Sequence, residues 1–280
     1  MDVSVVIVNY NGYEHTRNAV LSILQYSAGS EIIVVDNCST DGSGRVLQKE
    51  FPQTTVIIEA ENRGFGFGCN RGAEAAKGKY LFFLNNDTLL SEDSPLILAA
   101  YLEKNPAVGA CGPKLLNQDG TFQISFGLEP SILNEWIVKH WQHPRKTGRG
   151  AISASLEQRY AGGKIDWVTA AALMMRKDLF ERLNGFDESF FMYFEDAELC
   201  KRIREMGYSV VYLNTTSVTH LRGQSAKDGT SSINREYRRS QIYYYRKHRS
   251  LAAQLILRMY LAVRPLLQKN VTETNAPHRN

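Results

Sequence analysis

The sequence predicts an α/β fold in which helices cover both faces of a mostly parallel sheet, followed by a C-terminal helical tail. Three observations carry this. Apolar strand signals alternate with helix-spaced segments through the first half of the chain. The 280 residues, 43% hydrophobic and 22% charged, suffice for a real core in one large domain or two small ones. Residues 250–268 form an apolar but arginine-bearing segment with helical periodicity.

In order, VSVVIVNY (3–10) is a buried strand, and YEHTRNAVLSILQYS (13–27) places Ala19, Val20, Ile23 and Leu24 at helical spacing. EIIVVD (31–36) is a second strand, GSGRVLQKEF (42–51) a helix and TTVIIEA (54–60) a third strand. NRGAEAAKG (70–78) is helical and stops at Gly78, and KYLFFLN (79–85) is a fourth strand. Strands separated by helices pair in parallel through right-handed crossovers, and their carboxyl ends gather ligands. Residues 117–165 are polar and weakly periodic, which predicts a functional loop region. Beyond it, IDWVTAAALMMRKDLFERLNGF gives a strand and a short helix closed by Gly185. A helix over 195–206 capped by Gly207 follows, then one or two strands in SVVYLNTTSVTH ending at His220.

Charge is distributed unevenly. Residues 234–280 hold 10 Lys/Arg against 2 Asp/Glu, leaving 23 basic and 27 acidic residues in the remainder. A basic tail on a mildly acidic body predicts an anionic contact. Ser250, Gln254, Arg258, Arg264 and Gln268 share one helical sector, as in an interfacial helix with a basic face at an anionic membrane surface; packing on the domain itself is the alternative. The Arg/Tyr-rich tract 235–249 has the composition of a phosphate- and base-binding segment, but no nucleic-acid partner is expected. Four scattered cysteines without a CxxC pair suit a reducing compartment, and the amino terminus has no signal-peptide pattern. A cytoplasmic location is expected, peripheral to the inner face of the cytoplasmic membrane.

Several polar residues sit where the pattern demands little polarity. Asp36 ends the second strand and could accept a hydrogen bond from a pyrimidine N3–H, though the following NCSTDGS also suits turns and caps. Asn85, Asn86 and Asp87 end the fourth strand; one carboxylate with phosphate oxygens can hold Mg2+, and a turn is the other reading. Glycines 64, 66 and 68 lack the dinucleotide spacing but permit close backbone approach, and Arg63 beside them could bind phosphate. Glu195, Asp196 and Glu198 open a helix, as its dipole favours, yet the bulky run Phe190–Phe194 precedes them, surroundings in which a carboxylate can serve as general base. His220 gains a metal-binding role only if Asp87 already holds an ion.

VSVVIVNYNG, VVDNCSTDGS, ENRGFGFGCNRG, FLNNDT, LNGFDESFFMYFEDAELCKRIREMGY and VTHLRGQS, in this order over residues 3–222, resemble family 2 of the inverting glycosyltransferases, in its rhamnosyltransferase-like branch. The resemblance implies a GT-A fold, with a Rossmann-like, mostly parallel central sheet. Residues 1–222 would be the transferase domain, divided into a nucleotide-sugar half (1–112) and an acceptor half (113–222); residues 223–280 would be a basic amphipathic extension. It implies that Asp87 is the metal-binding member of a D-x-D variant and His220 a further ligand for Mg2+ or Mn2+. Val8 and Tyr10 would flank the base, Asp36 accept from its N3, Asn86 face the ribose, and Arg63 and Asn70 complete the donor site. Asp196 would be the catalytic base with Glu195 in support, and Trp167 and Ala171 would lie on the acceptor side. Asn85 stands where a first carboxylate is commoner, which weakens metal binding in the absence of a nucleotide. The implied donor is dTDP-rhamnose or a UDP-sugar, and the acceptor a polysaccharide or lipid-linked glycan. A non-catalytic nucleotide- or glycan-binding module of the same fold is the alternative.

Overall fold

A computed structural model describes residues 2–142, 157–221 and 230–274, with side chains undescribed at 138–142, 230–231 and 264–274. Strands β1 (Val3–Asn9), β2 (Glu31–Asp36), β3 (Thr55–Ile58) and β4 (Tyr80–Asn85) alternate with helices α1 (Tyr13–Tyr26), α2 (Ser43–Glu50) and α3 (Phe65–Ala75). They pair in parallel in the order β3-β2-β1-β4. Their register puts Asn9 opposite Asp36 and Val8 opposite Asn85, so three polar strand ends meet at one rim.

The sheet continues through β11 (Ala172–Arg176), β6 (Val108–Leu116), β12 (Ser209–His220) and β5 (Thr88–Leu90). β11 is antiparallel to both β4 and β6, whereas β6 and β12 are parallel. A bulge between Leu213 and Ser217 bends β12 toward β5, with Glu92 accepting from Ser217 N at 2.8 Å and Thr216 Oγ1 at 3.0 Å. The bend sets His220 opposite Thr88 of β5, beside Asp87. Alternating side chains fill two cores: Phe82 and Leu84 point to the layer holding α1 and α4 (Ser94–Lys104), and Leu81 and Phe83 to that holding α3. Each fully buried apolar side chain contributes about 1.5–3 kcal/mol.

Two expectations are corrected. The helix expected over 70–78 starts at Phe65, so Gly66 and Gly68 lie within it. A Cβ on Gly68 would sit 2.8 Å from Val8 and one on Gly66 3.1 Å from Phe186, so these glycines seat α3 on its own protein. The expected loop 117–165 is partly ordered: β7 (Phe122–Gln123), β8 (Phe126–Gly127) and α5 (Ile132–Gln142) occupy its first half. β9 (Lys164–Ile165) closes it and β10 (Trp167–Val168) follows. Strands of two residues are too short to show a period.

α6 (Lys177–Arg182) and α7 (Glu195–Glu205) complete the body. The tail forms α8 (Thr230–His248) and α9 (Leu251–Thr274). The tyrosines of the Arg/Tyr tract pack inward: Tyr244 and Tyr245 are buried with Phe190, Phe194 and Leu257, and Tyr237 and Tyr243 lie against them. In α9, Gln254 turns back to Arg249 O at 3.0 Å and Leu257 faces α8. Leu251, Leu255, Ile256, Met259, Tyr260 and Val263 are exposed, forming an apolar outward face with the exposed Arg258 at its edge; of the expected basic sector, the Arg264 and Gln268 side chains lie outside the described residues. Among the described residues no helix is long and apolar enough to cross a membrane.

Candidate active site

Two clusters of polar residues lie on either side of the segment joining β10 to β11. In the first, β4 ends at Asn85 and the chain turns through Asn86 and Asp87, both nearly buried. His220 Nε2 lies 3.2 Å from Asp87 Oδ1 and 3.4 Å from Asn85 Nδ2. Its other nitrogen, Nδ1, is 2.7 Å from Gln123 Oε1. Leu221 N donates to Asp87 O at 2.9 Å, which fixes the end of β12 against the turn. Among the described residues no group of three or more His, Cys, Asp or Glu is placed to hold a metal. The pair suits a hard cation whose remaining ligands come from water and diphosphate oxygens.

In the second cluster, Asp196 sits in the first turn of α7. Ala170 N donates to its Oδ2 at 3.3 Å, Ala197 N to its Oδ1 at 2.7 Å, and the Thr169 hydroxyl adds a further hydrogen bond. Burial nevertheless raises its pKa. Glu195 is 6% exposed, and its Oε2 has no hydrogen-bond partner. Burial, then the charge of Asp196, pushes the Glu195 carboxyl up to about 8. Burial and the Asp196 charge thus favour the neutral form of Glu195, while the three donors around Asp196 oppose the rise that burial imposes on it.

The backbone entering α7 is strained. Tyr193 and Phe194 have φ of +70° and +69°, a left-handed conformation unfavourable for aromatic residues. α8 holds it in place: Ser240 Oγ donates to Met192 O at 2.6 Å, and the Tyr237 ring lies 5.6 Å from Tyr193 and 5.2 Å from Phe194. Deeper in α7, the buried Glu198 meets Arg202 at 2.7 Å, Lys247 at 2.7 Å and His248 at 3.2 Å. Burial alone would raise the Glu198 pKa, but His248, Arg202 and Lys247 bring it down to about 2. Asp187, bonded to Lys247, Ser189 N and Tyr243 against its own burial, likewise falls to about 2. The tail is thereby built into the site.

The donor-side residues divide. Asp36 is 2% exposed, and its Oδ1 accepts from Asn9 Nδ2 and Ser39 Oγ, both at 2.6 Å. Its neighbour Asn37 donates to Asn62 Oδ1 and Gly64 O, each at 2.9 Å, which leaves Asn37 Oδ1 buried without a partner. Tyr10 is 43% exposed at the end of β1, Val8 packs under Gly68, and Asn86 Nδ2 reaches Thr16 Oγ1 at 3.3 Å. Arg63 pairs with Glu188 at 2.9 Å and covers the Phe67 ring at 4.1 Å. Asn70 directs its hydrogen bonds to Phe186 N, Phe186 O and Glu188, so it clamps the loop before α7. Trp167 donates its indole N–H to Leu128 O at 2.9 Å; Ala171 is buried and acts through its carbonyl, which accepts from Asn85 N at 3.0 Å. Of the VTHLRGQS stretch, residues 222–225 lie outside the described residues.

Sequence reasoning missed Asn9, Asn37, Gln123 and Thr169. Asn9 and Asn37 stand inside the quoted motifs, while Gln123 has no local signal. Its place depends on β7 pairing with β6, next to β12.

A model described as glycosyl transferase family 2 matches residues 4–183, and one described as the N-terminal domain of galactosyltransferase matches residues 155–224. An N-acetylglucosaminyl-diphospho-decaprenol L-rhamnosyltransferase of Mycobacterium tuberculosis is 25% identical over 95% of this chain and 94% of its own length. Rhamnosyltransferase WbbL of Escherichia coli is 23% identical over 89% of this chain and 95% of its own. Among solved structures, GalNAc-T7 with UDP, GalNAc and Mn2+ superimposes at a TM-score of 0.62 and 17% identity, over 88% of this chain and 50% of that one. A Pyrobaculum calidifontis mannosyltransferase with GDP-Man and Mn2+ gives 0.56 and 17%, over 94% and 80%. These structural likenesses show the GT-A fold.

Proposed function

This chain belongs to glycosyl transferase family 2, and from that premise we propose that it is an inverting, cation-assisted rhamnosyltransferase acting on a polysaccharide or lipid-linked glycan. One observation carries the reading: Asn85, which leads into the Asp87–His220 pair, and the Asp196 carboxylate are hydrogen-bonded to successive residues of one segment, Ala171 and Ala170.

In this reading Asp196 accepts the proton from an acceptor hydroxyl as its oxygen attacks the anomeric carbon. Thr169, Ala170 and Ala197 hold the carboxylate ready for that proton, and protonated Glu195 keeps a second negative charge out of the pocket. Asp87 and His220 are the residues that would hold Mg2+ or Mn2+. When bound, the ion supplies Lewis-acid charge to the departing diphosphate. The orphaned acceptor Asn37 Oδ1 suits a pyrimidine N3–H better than the already engaged Asp36, whose role becomes to orient Asn9 and Ser39. Val8, Tyr10, Arg63, Asn70 and Asn86 form or support the surrounding donor site.

The rhamnosyltransferase relatives favour dTDP-rhamnose over a UDP-sugar as donor, and the mycobacterial relative's name favours a polyprenyl-diphosphate-linked acceptor. The exposed apolar face of α9 fits attachment in the interface of an anionic membrane on its cytoplasmic side. The test is thermal shift and transfer with the purified full chain, using dTDP-rhamnose and UDP-sugars with and without Mn2+ or Mg2+, and a polyprenyl-diphosphate N-acetylglucosamine acceptor. Cation-dependent transfer with inversion is expected. Donor binding without transfer or hydrolysis would indicate a binding module instead.

A further inference from the structure

We infer that Gln123 is a positioning residue that fixes which nitrogen of His220 is free to bind a cation. The inference rests on the reading of Asp87 and His220 as cation ligands. It is carried by a chain of hydrogen bonds whose direction follows from chemistry alone. Thr121 donates its hydroxyl to the Asp119 carboxylate at 2.5 Å, so its oxygen is left to accept. Asn117 Nδ2 donates to that oxygen at 2.9 Å and points its remaining hydrogen toward Phe122 O at 3.5 Å. Asn117 therefore presents its carbonyl to Gln123, whose Nε2 donates at 2.9 Å. Gln123 in turn presents Oε1 to His220 Nδ1 at 2.7 Å, and an amide oxygen can only accept. The ring proton is held on Nδ1, and the lone pair of Nε2 is directed at Asp87 Oδ1, 3.2 Å away.

In the neutral ring two acceptors face each other at this separation, with Asn85 Nδ2 3.4 Å from Nε2, and their repulsion is relieved by a proton or by a cation; in the present reading the relay prepares a two-point cation seat. The fold supplies it cheaply. The turn Asn117–Thr121, with Gly120 at φ +77°, folds β7 back on β6 and sets Gln123, 3% exposed, beside the end of β12. Residues that partner the outer nitrogen of a metal-binding histidine alter affinity about ten- to a hundredfold when removed.

The test uses the full chain labelled with 15N at histidine, with His220→Ala identifying the His220 signals. Two-bond 15N–1H correlations, recorded metal-free at a pH where the ring is neutral, read the tautomer directly. Mn2+ binding in the presence of dTDP or UDP is followed by electron paramagnetic resonance. The wild type is expected to show the Nδ1–H tautomer. Gln123→Leu should give a mixture of tautomers and weaken Mn2+ about ten- to a hundredfold, while Gln123→Glu, which loses the donor to Asn117 but keeps an acceptor for Nδ1, should retain the Nδ1–H tautomer. A wild-type Nε2–H tautomer, or unchanged Mn2+ affinity in a folded Gln123→Leu, would overturn the inference. If His220→Ala leaves Mn2+ binding intact, the cation reading of the site fails, and with it the seat; the metal-free tautomer still reports separately whether the relay orders the ring.

Discussion

Asn85 and Asp196 are bound to consecutive residues: the Asn85 amide donates to Ala171 O at 3.0 Å, and the Asp196 carboxylate accepts from Ala170 N at 3.3 Å. The strand end that carries Asp87 and the helix that carries Asp196 thus share one brace. The brace contributes a backbone carbonyl to one bond and a backbone N–H to the other.

Asp196→Asn keeps the shape and the hydrogen-bond acceptor but removes proton affinity. Transfer should fall about a hundred- to ten-thousandfold, with nucleotide-sugar binding measured by calorimetry unchanged. Wild-type turnover would remove Asp196 from the role of base.

Glu195 carries its proton up to about pH 8. Because burial and Asp196 raise this pKa, the neutral form is favoured below that value, and the pair gains a second charge as pH rises through it. The wild-type rate should change on an alkaline limb near pH 8. Glu195→Gln, permanently neutral, should fold and lose that limb; a profile identical to wild type would contradict the assignment.

Stripping divalent cations with EDTA should abolish transfer, and added Mn2+ should restore it. Asp87→Ala and His220→Ala should each lose nucleotide-dependent Mn2+ binding by calorimetry. Full activity in EDTA would argue for charge neutralisation by other groups.

Glu198→Gln leaves Arg202, Lys247 and His248 around a neutral amide and should destabilise the fold by about 3 kcal/mol in denaturant unfolding. The wild type should show the matching acid sensitivity. Glu198 and Asp187 titrate near 2 when folded, below the ordinary carboxylate range. Their contribution is therefore complete above about pH 4.5 and lost as pH falls toward 2. An acid transition unaltered in Glu198→Gln would show that this network does not set it.

Leu255→Asp combined with Met259→Asp places charge on the outward face of α9 and should reduce flotation with anionic liposomes without altering thermal unfolding. Unchanged flotation would retire membrane docking through this face.

The parallel half of the sheet was legible because β1, β2 and β4 are buried runs whose polar tips, Asn9, Asp36 and Asn85, break the apolar pattern abruptly. Asp87, His220 and Asp196 stand out in the sequence only through the order of the motifs, since alone Asp87 fits a turn, Asp196 a helix start and His220 an ordinary hydrogen-bonding histidine. What stayed hidden depends on contacts across the chain. Gln123 gains its place from strand register, the orphaned Asn37 Oδ1 from its neighbours' hydrogen bonds, and the inward tyrosines of α8 from a strained loop some fifty residues earlier in the sequence. The glycines at 66 and 68 misled because space for a backbone near a ligand and space for a helix against a strand leave the same trace.

The left-handed pair Tyr193–Phe194 has a consequence for how the protein matures. Its support comes from Tyr237, Ser240 and Tyr244, which are synthesised after it. A nascent or prematurely terminated chain can pair its strands long before the acidic helix is seated. The turn that presents the acidic helix thus depends on a segment that follows it in the chain.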